Sequence, residues 1–199
     1  MTKILLTGAN GFVGTELLKK IPSDDVNALS RKPLDSFPGT VFDKAIGPVE
    51  LYSDCLEGVD IVVHLAAVVH NSSNNLRYIN EVNVLGALNL ARQAVTAGVK
   101  RFIFLSSIGV SGNKTTMPFD ESTDESPHSE YACSKLKAEK ALLKLAKETN
   151  LEVVIIRPVL VYGENAPGNF SKLKSLIESF PFLPFGMTNN QRSFISVAN

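Results

Sequence analysis

The chain has 199 residues, long enough for one well-buried domain and the beginning of a second. Hydrophobic residues make up 44% and charged residues 20%, the balance of an ordinary globular protein. Lys plus Arg and Asp plus Glu stand at 20 each, which excludes a global pull toward nucleic acid or an anionic membrane, so an anionic ligand must be held by local geometry.

The N-terminal run MTKILLTGANGFVG reads as a short apolar strand, Lys3 to Thr7, followed by a glycine turn. It lacks the length and the small-residue cleavage site of a secretory signal, and no apolar run approaches a membrane span. The expectation is a cytoplasmic chain with no membrane partner. A helix is predicted from Phe12 to Lys20, a second strand from Val26 to Leu29 and a weak third from Thr40 to Phe42. Asp60 to Leu65 (DIVVHL) is a near-continuous apolar strand of the kind buried on both faces. Leu76 to Ala97 has helical periodicity, with Val82, Leu85, Leu88 and Ala91 on one stripe and Gly98 as its C-terminal stop. Arg101 to Leu105 is a fifth strand, Gly112 to His128 a polar loop, Glu130 to Glu148 a long amphipathic helix and Glu152 to Ile156 a sixth strand. Beyond Pro158 the pattern loosens into a Gly/Pro/Asn-rich stretch from Tyr162 to Asn169, a helix from Phe170 to Ser179 and a strand near RSFIS.

This alternation predicts an α/β fold, a Rossmann-type doubly wound parallel sheet. Cys55 and Cys133 are far apart and in no metal or redox spacing, so they read as free thiols in a reducing compartment. His64 reads as a satisfied core histidine, and His70 and His128 lie in polar loops without partnering ligands; no metal site is expected.

Two patterns carry chemistry. Gly8-x-x-Gly11-x-x-Gly14 follows the first strand and opens a helix. The first glycine permits the tight turn, the second lets backbone approach a pyrophosphate, and the third lets the helix pack on the sheet. The free N–H groups of the helix then face the phosphates of a dinucleotide. Ser30-Arg31, after the second strand, stands where an NAD-preferring site places an acid; a guanidinium there suits the 2′-phosphate of NADP, or the segment is a solvated basic turn. Tyr131 and Lys135 lie at i and i+4 on one helix face. An ammonium beside a phenol favours the phenolate and gives Tyr131 a role in proton transfer.

With TGANGFVG, VVHLAA, NVLGALNLA, Tyr131-Ala-Cys-Ser-Lys135 and RPVLVYG in order, the chain resembles the extended short-chain dehydrogenase/reductase family of the NAD-dependent epimerase/dehydratase type. It is most similar to UDP-glucose 4-epimerase-like proteins and to nucleotide-sugar 4-ketoreductases of surface-polysaccharide pathways. The resemblance implies NAD or NADP held by Gly8, Asn10, Gly11, Phe12, Val13, Gly14, Ser30, Arg31, Asp43, Ala66, Ala67, Tyr131, Lys135 and Pro158. It implies Ser107, Tyr131 and Lys135 as the catalytic set, and Asn83, Ser107 and Asn169 as contacts to a nucleotide-sugar substrate. Ser106 is expected to be structural. Where sugar 4,6-dehydratases carry acids after the fifth strand, this chain has Ser107-Ile108-Gly109, which argues against dehydration.

The implied activity is a UDP-sugar 4-epimerase; the alternatives are an NADPH-dependent 4-ketoreductase and a non-catalytic NAD(P)-binding regulator. The implied domains are a dinucleotide-binding domain over 1–165 and the start of a truncated substrate lobe over 166–199. Such a piece alone is expected to be inactive, and the full-length protein to be a homodimer through its long helices.

Overall fold

Short apolar strands, several of them separated by amphipathic helices, have one economical arrangement: a parallel sheet with its central strands covered on both faces. The computed structural model describes residues 2–199 apart from 35, 70–74, 181, 183–188 and 190; the side chains of Asn169 and Ser171 also lie outside the described residues. Strands β1 (Ile4–Thr7), β2 (Val26–Leu29), β3 (Thr40–Phe42), β4 (Ile61–His64), β5 (Arg101–Leu105) and β6 (Glu152–Ile156) form a six-stranded sheet in the order β3-β2-β1-β4-β5-β6. All pairings are parallel. Helix α1 (Phe12–Leu18) follows β1. Successive residues of β1 feed opposite faces: Leu5 joins Tyr52, Leu90, Phe102 and Leu142 in one core, and Leu6 joins Ala9, Val26 and Ala28 in the other.

The order reverses at β1, with β2 on one side and β4 on the other. Thr7 pairs with Leu29 and with His64, so the three strands end level. That carboxyl edge, at the topological switch point, is where open α/β sheets bind ligands.

The stretch predicted as one helix from Leu76 to Ala97 is three segments: α2 (Leu76–Asn80), a π-helical stretch (Glu81–Gly86) and α3 (Ala87–Thr96). The widening accompanies a buried polar residue, Asn83, turned inward. Asn75 caps the start, accepting from the Tyr78 N–H at 3.1 Å, and Gly98 ends the run at φ +78. Helix α4 (Glu130–Glu148) starts at Ser129, whose hydroxyl accepts from the Ala132 N–H at 3.1 Å. Its buried stripe is Ala132, Lys135, Ala138, Glu139 and Leu142, with two ionisable groups among the apolar ones.

His64 is in the core, but only half satisfied, which corrects the sequence expectation. Its Nδ1 lies 2.8 Å from the Thr7 hydroxyl, while its Nε2 has no partner among the described residues and its ring stacks on Phe104 at 5.8 Å. Burial drives its pKa down to about 3. The unfolded chain takes up this proton below about pH 6.5 and the folded chain does not. Stability should therefore fall as pH drops from 6.5 toward 3, by up to about 1.4 kcal/mol per pH unit from this group. Urea denaturation of His64→Leu across that range should show a shallower dependence; an unchanged slope would count against a neutral buried imidazole.

Residues Pro158–Asn199 form a second compact unit, separate from Met1–Arg157. Here β7 (Leu160–Tyr162) pairs in parallel with β8 (Phe194–Ser196), and α5 spans Asn169–Ser179. Tyr162 packs against Phe170 at 5.9 Å and Phe194 at 6.5 Å. No helix among the described residues is long and apolar enough to cross a membrane.

Candidate active site

The glycine turn is built as its spacing requires. Gly8 has φ +70, and a Cβ there would sit 2.7 Å from the Ala66 backbone nitrogen, so the ends of β1 and β4 come together only because residue 8 has no side chain. The Gly11 N–H donates to the Gly8 carbonyl at 2.9 Å, closing the turn. A Cβ on Gly14 would collide with the Gly8 carbonyl and lie 2.9 Å from Ala9, so this glycine sets the helix-to-turn contact. Phe12 and Val13 are half-buried in the first turn of α1, and Asn10 is exposed on the turn.

A groove of about 250 Å³ opens along this edge. Gly8, Asn10 and Gly11 form one wall, Ala66, Ala67 and Val68 another, and Ser30, Arg31 and Lys44 to Ile46 its far end, with Tyr78 and Val82 of the helical run alongside. Ser30 spends its hydroxyl on its own turn, donating to the Lys32 carbonyl at 2.7 Å. Arg31 is exposed with no ion-pair partner among the described residues. Lys44 is held by Asp54 at 2.6 Å and the Leu51 carbonyl at 2.7 Å. Asp43 is exposed and does not line the groove; its neighbour Lys44 does.

One strand beyond β4, the end of β5 meets α4. Lys135 is 1% exposed; its Nζ donates to the Leu105 carbonyl at 2.7 Å and lies 4.4 Å from the Phe104 ring centre and 5.8 Å from that of Tyr131. Burial pulls the Lys135 ammonium down to about 7, with Glu139 opposing, and pushes the Tyr131 phenol up to about 12. The phenol therefore keeps its proton at neutral pH in this structure. Burial, and not the neighbouring ammonium, sets the phenol here, the reverse of the expectation from spacing. Ser107 is half-buried and caps the short 3₁₀ turn Ile108–Val110, its Oγ accepting from the Gly109 N–H at 3.1 Å. Ser106 points inward onto Glu139.

A family model described as the NAD dependent epimerase/dehydratase family matches residues 4–199. The chain belongs to that family. It is 41% identical over 209 residues to a UDP-glucose 4-epimerase of Vibrio cholerae, covering 98% of this chain and 63% of the relative. It is 32% identical over 199 residues to an N-acetyl-alpha-D-glucosaminyl-diphospho-ditrans,octacis-undecaprenol 4-epimerase of Escherichia coli O157:H7, covering 98% of this chain and 60% of that protein. The chain thus spans less than two thirds of the length of these relatives. Among solved structures it superposes on MoeE5 in complex with UDP-glucuronic acid and NAD, with a TM-score of 0.83, 29% identity, and coverage of 98% of this chain and 68% of that one.

Within this member of the family, Asn83 takes a different place from the substrate contact expected of it. Its carboxamide is 1% exposed, accepts from the Val68 N–H at 2.7 Å, and donates to the Val68 carbonyl at 2.9 Å and to Ser134 at 3.0 Å. It braces the groove wall against α4. The Asn169 side chain lies outside the described residues, and Pro158 belongs to the second unit. Lys44, Ile46, Tyr78 and Val82 line the groove although no sequence motif marks them, because they come from loop and helix positions brought in by the fold. Glu139 is a further residue that the motifs do not mark. Its signal is present all the same: a carboxylate at i+4 from Lys135, on the helix stripe that otherwise reads as apolar.

Proposed function

We propose that the protein is an NAD(P)-dependent nucleotide-sugar 4-epimerase, with a UDP-sugar as substrate. The observation that carries this reading is the buried Lys135 set beneath Tyr131 at the carboxyl edge of the sheet, with β4 between it and a glycine turn shaped for a dinucleotide. The relatives from Vibrio cholerae and Escherichia coli, both 4-epimerases by name, support it. The dinucleotide would be held by Gly8, Asn10, Gly11, Phe12, Val13, Gly14, Ser30, Arg31, Ala66, Ala67, Tyr131 and Lys135, with Asp43 and Pro158 assigned to it by the resemblance alone. A bound nicotinamide supplies a reversible hydride acceptor. Tyr131, once it has released its own proton beside the positive charge of Lys135, would take the proton of the 4-hydroxyl, and Ser107 would hydrogen-bond the reacting oxygen. At the end of the cycle Tyr131 would return the proton to the 4-keto oxygen, with no net change of cofactor.

Residues 166–199 begin a substrate lobe in this reading, with Asn169 among its contacts, and the full-length protein pairs through its long helices. The assay is epimer formation from UDP-sugars by the full-length protein with NAD, following nicotinamide absorbance at the same time. Interconversion without net cofactor reduction is expected; stoichiometric cofactor consumption would contradict it.

Arg31, exposed at the far end of the groove, favours one other reading, an NADPH-dependent 4-ketoreductase. In that case Arg31→Ala should weaken NADPH about tenfold, the value of one charge-assisted contact, and leave NAD unchanged. Equal affinities for the two dinucleotides in the parent chain would remove this alternative.

A further inference from the structure

Helix α4 grips the end of β5 through two side chains one turn apart. Lys135 holds the Leu105 carbonyl, and the Glu139 carboxylate accepts from the hydroxyl of the next residue, Ser106. Ser107 follows directly. Glu139 is 1% exposed and is clamped by Arg157 at the end of β6, whose Nε lies 3.1 and 3.2 Å from the two carboxylate oxygens and whose Nη2 lies 2.6 Å from one of them. Arg157 also reaches the Ser111 hydroxyl at 3.5 Å and stands 3.8 Å from Glu125, which pairs with Lys140 at 2.7 Å. The cluster ties together the end of β5, the turn after it, the loop before α4 and α4 itself. An ion pair whose carboxylate is buried, with the guanidinium only partly exposed, is a poor source of stability. One turn from a buried ammonium, it has strong electrostatic reach.

We propose that Glu139, clamped by Arg157, is a positioning residue for the Ser107–Tyr131–Lys135 centre, fixing the β5 end against α4 and supplying the counter-charge to the Lys135 ammonium. The titratable groups that face Lys135 are Tyr131 and Glu139 on its own helix and His64 on β4, which stays neutral; Arg157 stands behind Glu139. Among the described residues, Glu139 is therefore the negative charge acting on Lys135. The significance for turnover rests on the proposed epimerase function, but the electrostatic role can be tested without it.

The test is NMR titration of ¹³C-labelled lysine in the 199-residue chain, with the Lys135 signal assigned by its loss in Lys135→Arg. Glu139→Gln keeps the shape and removes the charge, and should lower the Lys135 midpoint by about one pH unit. Arg157→Met leaves the carboxylate without its partner and should raise it, while Arg157→Lys keeps the charge and should restore the parent value. Mere loosening of the packing would raise the midpoint in every variant, toward that of an exposed lysine. A midpoint unmoved or raised in Glu139→Gln overturns the proposal. If that variant does not fold, a raised midpoint in Arg157→Lys equal to that in Arg157→Met overturns it instead. Dinucleotide affinity measured on the parent chain separates the two readings: its absence would remove the functional assignment, and the Lys135 titration would still decide the electrostatic role of Glu139.

Discussion

Tyr131→Phe is expected to lower the kcat of epimerisation by about 10²–10⁴-fold, the usual worth of a positioned proton-transfer group, while dinucleotide affinity falls by no more than about tenfold, the worth of one hydrogen bond. The substitution removes one oxygen and leaves the ring that faces Lys135 at 5.8 Å. Burial holds the phenol near 12, so the side chain carries its proton into the resting site and can return it to a keto oxygen. Taking a proton from the sugar hydroxyl requires the phenol first to give up its own, which the positive charge of a protonated Lys135 favours. Steady-state assay of UDP-sugar interconversion by the full-length protein is the check. A regulator that senses the dinucleotide without turnover would be indifferent to the change, and an undiminished kcat would take Tyr131 out of the chemistry.

Gly8→Val is expected to weaken dinucleotide binding on the order of a hundredfold and to cost the fold about 3 kcal/mol. Two penalties coincide. The backbone sits at φ +70, where a β-branched residue is strained, and the added Cβ would lie 2.7 Å from the Ala66 nitrogen and 3.0 Å from its Cα. Neither neighbour is a flexible side-chain tip, so relief must come from parting the ends of β1 and β4, the crevice where a dinucleotide would lie. Gly58 is the control, with φ +67 and nothing near its Cβ position. Gly58→Ala should cost about 1 kcal/mol from strain alone and leave binding intact. Urea midpoints and calorimetric affinities of the two variants check both halves. Similar binding losses in the two would mean that backbone strain, and not the contact with Ala66, governs the site.

Much of the fold was legible locally. Val26–Leu29, Arg101–Leu105, Glu130–Glu148 and Glu152–Ile156 stand within the bounds their patterns suggest, because each is a short apolar run or an amphipathic helix with its own start and stop signals. Helices separate β1 from β2, β4 from β5 and β5 from β6, and those crossovers make the strands parallel. What could not be read was non-local. The strand at Leu160–Tyr162 exists through pairing with Phe194–Ser196, and the π-helical turn at Glu81–Gly86 accompanies the inward bonds of Asn83 to Val68 and Ser134. The glycine turn and the Tyr131–Lys135 spacing were visible as motifs, but not their electrostatics. Spacing put an ammonium near a phenol; it could not show that both would be buried deeply enough for desolvation to dominate. Likewise, Arg157 reads in the sequence only as the stop of a strand, because its partner Glu139 comes from a separate helix.

The most direct test is calorimetric titration of the 199-residue chain with NAD and with NADPH, repeated on Gly8→Val. One-to-one binding of a dinucleotide by the parent chain, largely lost in the variant, is the expected result. Heat from neither dinucleotide, or equal binding by parent and variant, would contradict the assignment of the β1–β4 crevice as the cofactor site.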